Sequence, residues 1–110
     1  MCHYQTLYHD DLAGYVVKCA ECEKIQIGYG NLMLTLGRID FDDFRSRLRS
    51  IKEEQPLAQS PTLRCIVIST PCNGIKLLLS MRELREFDAM LESADTELRS
   101  LELIRLFESS

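Results

Sequence analysis

One pattern occurs twice in this chain: strand, tight turn, strand, helix. Leu32-Met33-Leu34-Thr35-Leu36 matches Ile75-Lys76-Leu77-Leu78-Leu79 at an offset of 43 residues. The same offset carries Phe41 to Leu84, Phe44 to Phe87, Leu48 to Leu91 and Ile51 to Ala94, and it carries Gly30-Asn31 onto Asn73-Gly74. Ile25-Gln26-Ile27 matches Ile66-Val67-Ile68 at an offset of 41. Alternating apolar residues bury one face of a strand, and steps of three and four bury one stripe of a helix. A chain that switches from the first period to the second twice has to pack helices on antiparallel hairpins. The expected fold is therefore α+β: an antiparallel meander of about six strands with two helices on one face. The two ββα units are read as a candidate duplication.

The expected core follows from the same periods. Ile25, Ile27, Leu34, Leu36, Ile66, Ile68, Leu77 and Leu79 should pack against Phe41, Phe44, Leu48, Leu84, Phe87 and Leu91. The first helix is expected over Asp40 to Glu54, with Asp40 as its cap. Gln55 to Thr62 holds Pro56 and Pro61 and reads as a loop. Ser80-Met81-Arg82-Glu83 is a capping box that starts a second helix reaching as far as Phe107. The 110 residues fit a single domain, 1–110.

The sharpest chemical motif is Cys19-Ala-Glu-Cys22, set between two strands. Two thiolates at that spacing can chelate one Zn²⁺. A closed site needs four ligands. If Tyr8 opposes Tyr15 in the first hairpin, the register sum is 23, which places Cys19 opposite Tyr4 and His3 opposite Ala20. Cys2 and His3 are then carried to the knuckle, and His9 is left at the far end. Cys2, His3, Cys19 and Cys22 are the candidate metal ligands, holding a structural zinc. His3 is the weakest member, since neighbours on a strand point to opposite faces. With a looped N-terminal segment, His9 would replace it. A redox-active or disulfide-forming pair and plain unliganded cysteines are the other readings. The acidic Glu21 and Glu23 beside the knuckle disfavour a reactive thiolate, partly offset by Lys18 and Lys24.

Net charge is −4, which argues against a general binder of nucleic acid or anionic membranes. Arg38, Arg45, Arg47, Arg49 and Lys52 crowd the first helix. Glu83, Glu86, Asp88, Glu92, Asp95, Glu97, Glu102 and Glu108 crowd the second. They are read as two solvated faces of opposite sign, with a partner surface on the basic helix as the alternative. No signal peptide and no membrane span are visible, so a cytoplasmic protein with reduced thiols is expected. Gly28-Tyr29-Gly30-Asn31 leads into a strand and is a hairpin turn rather than a phosphate loop. Cys65 is expected to be buried and Cys72 exposed in a turn. The tyrosines Tyr4, Tyr8, Tyr15 and Tyr29 are expected to pack across strands. No Ser-His-Asp set, paired carboxylates or dinucleotide fingerprint is found, which favours a non-enzymatic protein.

The run Gly14-Tyr15-Val16, Cys19-x-x-Cys22, Ile25-Gln26-Ile27-Gly28-Tyr29-Gly30-Asn31-Leu32, Leu36 and Phe41-x-x-Phe44 resembles a family of small uncharacterised bacterial proteins of this length. The resemblance covers nearly the whole chain. It implies a bacterial cytoplasmic protein and no reaction, and it carries over Cys19 and Cys22.

Three functions are weighed. The first is a non-enzymatic binding or adaptor module with a structural zinc knuckle, acting on an unknown protein partner. The second is a thiol redox enzyme or sensor using Cys19 and Cys22. The third is a zinc-ribbon-like nucleic-acid binder using Arg38, Arg45, Arg47 and Arg49. The helix end Leu103, Ile104, Leu106 and Phe107 spreads apolar side chains around nearly the whole circumference, which predicts a homodimer through the C-terminal helix.

Overall fold

A computed structural model describes residues 3–56 and 60–109 of the chain. Four strands come first: β1 (Tyr4–Asp10), β2 (Gly14–Cys19), β3 (Ile25–Tyr29) and β4 (Leu32–Leu36). Helix α1 (Arg38–Glu54), strands β5 (Ile66–Ser69) and β6 (Lys76–Leu79), and helix α2 (Met81–Ser109) follow. The class is α+β with every strand pair antiparallel. The strands do not form one continuous ladder. β1-β2-β3-β4 is a four-stranded meander, and β5-β6 is a separate two-stranded sheet. The 17 residues of α1 intervene between β4 and the second hairpin, and β5 then pairs only with β6.

Alternation decides which face of the meander is buried. Val16, Ile25, Ile27, Leu34 and Leu36 all point to the helices, while Tyr15, Val17, Gln26, Met33 and Thr35 point away. The helices answer with Phe41, Phe44 and Leu48 from α1 and Leu84, Phe87, Leu91 and Leu98 from α2, all fully buried. The expected core therefore forms, except that Leu77 is only partly buried. Residues matched at the 43-residue offset take matching places: Phe41 with Leu84, Phe44 with Phe87 and Leu48 with Leu91 are buried alike.

Two rings centre this core. Phe87 stacks flat on Tyr29, with centroids 4.5 Å apart and planes at 4°. It also meets Phe44 edge to face at 5.8 Å. Tyr29 thus packs on a helix rather than across strands. Its hydroxyl donates to Glu86 Oε1 at 2.8 Å and lies 3.2 Å from the Glu83 carbonyl. Burial first, and the Glu86 hydrogen bond second, push the phenol well above its ordinary range.

The helix starts differ. α1 begins two residues before the expected Asp40, because Gly37 in extended conformation is its N-cap and its carbonyl takes the Phe41 N–H at 2.9 Å. No side chain caps it. The capping box of α2 forms in full. Ser80 Oγ accepts from the Glu83 N–H at 3.1 Å, and Glu83 Oε1 accepts from the Ser80 N–H at 2.9 Å. Arg64 clamps the same carboxylate with two bonds of 2.9 and 2.8 Å. That clamp is the main reason why the Glu83 pKa drops to about 2.

Cys65 is exposed rather than buried. Strand β5 is short, and with Ile66 and Ile68 turned inward the period of two turns Cys65 and Val67 outward. Cys72 is exposed in the next turn, as expected.

Candidate functional site

The knuckle end of the first hairpin keeps the expected register. Tyr4 opposes Cys19, and the Ala20 N–H donates to the His3 carbonyl at 2.8 Å. A bulge between Thr6 and Tyr8 then shifts the ladder, so Tyr8 opposes Val16 rather than Tyr15. The extra residue turns Leu7 into the core. Because β1 is a strand throughout, His9 sits opposite Tyr15 at the far end, with its imidazole 3.5 Å from Asp11. His9 cannot reach the knuckle.

The turn from Cys19 to Lys24 is closed by its own backbone. The Glu23 N–H donates to the Cys19 carbonyl and the Cys19 N–H to the Lys24 carbonyl, each at 2.9 Å. Glu23 takes a left-handed φ of 62° to close it. This shape aims the Cys22 N–H at Cys19 Sγ, 3.4 Å away. Cys19 is buried and Cys22 is exposed. His3 is exposed, and Glu21 engages it twice: Glu21 Oε2 accepts from the His3 N–H at 2.6 Å, and Glu21 Oε1 lies 3.7 Å from Nε2. Glu21 Oε2 is also 3.5 Å from Cys19 Sγ. Cys2 lies outside the described residues. Among the described residues no three His, Cys, Asp or Glu side chains are placed to hold a metal.

The charged helices do not carry two solvated faces. Their opposite signs meet in the seam between α1 and α2. Lys52 Nζ lies 2.8 Å from Asp88 Oδ2, and Arg45 Nη1 lies 2.9 Å from Glu92 Oε1. Arg38 reaches Asp42 at 2.6 Å and Glu102 at 3.3 Å. Arg49 sits 3.6 Å from Asp88, and Arg47 donates to the Ser69 carbonyl at 3.3 Å. Asp88 and Asp95 are buried by this contact. The arginines offered for nucleic acid are thus already engaged by this chain's own carboxylates and backbone. Residue spacing showed each face separately; it could not show that they face each other.

The end of α2 exposes four large apolar side chains close together in sequence. Leu103, Ile104, Leu106 and Phe107 are 54%, 52%, 69% and 74% exposed. At about 100° per residue they fall within one arc, opposite buried Leu98, rather than around the whole circumference. The hairpin covers the other side of the helix, where Arg105 reaches Glu23 at 3.2 Å. No described helix is long and apolar enough to cross a membrane.

These features sit in a recognised family. A family model described as a family of unknown function, DUF6686, matches residues 1–107, and the chain belongs to that family. No curated protein and no solved structure matches it.

Proposed function

We propose that this chain is a non-enzymatic interaction module that works as a homodimer joined through the end of α2. The observation that carries this reading is the solvent-facing apolar arc of Leu103, Ile104, Leu106 and Phe107. Leu103 and Phe107 lie in the middle of the arc, flanked by Ile104 and Leu106. A two-fold axis at Arg105 sets Leu103 of one copy against Phe107 of the other, with apolar neighbours on both sides. The stripe is therefore complementary to itself. Truncation after Leu98 removes it and is expected to give a monomer or an insoluble chain.

In the same reading the knuckle is a staple rather than a reaction centre. Cys19 and Cys22 would hold a structural zinc together with Cys2 and His3. Support comes from the Cys22 N–H on Cys19 Sγ and from the pairing of His3 with Ala20. Closure of the site requires the His3 imidazole to leave Glu21. Metal analysis of protein purified without chelator tests this. Stoichiometric zinc whose removal unfolds the hairpin is the expected result. A metal-free protein with a reversible Cys19–Cys22 disulfide would favour the redox reading instead.

A further inference from the structure

Lys18 occupies a core position. It follows Val16 by two residues on β2, so it points to the helix-covered face, opposite Gln5 and Ile25. Only 8% of it is exposed. Its ammonium makes no hydrogen bond and no ion pair with any described residue. Most of its side chain is out of water, and a methionine or leucine would fill the place without bringing a charge to this face.

Lys18 lines a cavity of about 340 Å³ between the first hairpin and the end of α2. Leu101, Ile104 and Ala20 supply apolar wall, and Gln5 supplies an amide. Three other charges line it, and two are already used. Glu102 is held by Arg38, and Arg105 by Glu23. Glu108 is exposed near the helix end and is not bonded to Lys18. Lys18 is therefore the lining cation left without a counter-charge, beside an apolar wall, with Glu108 on the exposed rim.

We propose that this cavity binds a small organic carboxylate. Lys18 Nζ is its counter-ion, and Leu101 and Ile104 pack its hydrocarbon. An amine alone would suit any anion; the apolar wall selects one with a carbon chain. The site shares Ile104 with the edge of the apolar arc, while Gln5, Lys18 and Ala20 of its lining come from the hairpin.

Hexanoate titrated into the full-length protein, followed by amide NMR shifts, tests the proposal, with hexan-1-ol as a control of equal length. Hexanoate should bind saturably at one per chain and move the amides of Lys18 and Leu101 to Arg105. Hexan-1-ol should bind about tenfold more weakly or less, because it forgoes a charge-assisted bond. Lys18→Met should lose the same factor with an unchanged circular dichroism spectrum, and Lys24→Met should lose nothing. Equal binding of the alcohol, full binding by Lys18→Met, or no saturable shift would each overturn the assignment. So would displacement of hexanoate by an equal concentration of inorganic phosphate. If Lys18→Met does not fold, the comparison of acid with alcohol on the unmodified protein decides.

Discussion

Phe44 and Phe87 meet edge to face, their centroids 5.8 Å apart and their planes at 63°. They stand 43 residues apart, the offset that relates the two ββα units. Each is the second apolar residue of its helix stripe and fully buried, so this contact joins α1 to α2. Phe87 carries more than its partner because Tyr29 stacks on it as well. Phe87→Ala is expected to cost about 3–5 kcal/mol in urea unfolding. Phe87→Leu keeps most of the volume and should cost clearly less, the difference measuring the ring contacts.

The ionic seam predicts an asymmetry. The Asp88 side chain is 3% exposed, and Lys52 is its closest cation at 2.8 Å. Asp88 Oδ1 has no hydrogen bond of its own. Lys52→Met leaves a buried carboxylate short of its partner and should destabilise by roughly 3 kcal/mol. Adding Asp88→Leu should recover much of that loss, although it deletes a second charged group. Denaturation of the two variants and of their combination checks this as a double-mutant cycle.

Glu83 sets an acid limb. Its folded pKa is about 2, below its ordinary value of 4.5, chiefly through the Arg64 hydrogen bonds. A lowered carboxylate contributes stability that is present above pH 4.5 and is lost as pH falls toward 2. The effect is modest, because Arg64 is exposed and solvent screens the pair. Glu83→Gln should flatten the stability profile between those two pH values. An unchanged slope there would assign the acid limb to other carboxylates.

How far the sequence could be read depends on the range of each interaction. The α2 start was legible because Ser80 and Glu83 satisfy each other locally. The strands and helix stripes were legible because Ile25, Ile27, Phe41 and Phe44 repeat with a fixed period. Local rules failed where partners came from afar. Asp40 has the chemistry of a cap, yet Gly37 starts the helix. The Leu7 bulge leaves no mark in a pattern of residue types, and it moved Tyr8 off Tyr15. The pairing of Arg45 with Glu92 spans 47 residues, so charge counts on separate helices could not foresee it. The burial of Lys18 was missed because a single lysine in a strand looks like an exposed one. Its parity with Val16 was the signal available.

The arc at the end of α2 carries the functional account, and sedimentation equilibrium of the full-length chain tests it most directly. At ~100 μM, well above a micromolar dissociation constant, the account predicts a dimer. A Leu103→Glu, Leu106→Glu variant is predicted to sediment as a folded monomer, because both substitutions lie on the exposed arc. A monomer for the unmodified chain at that concentration would contradict the account.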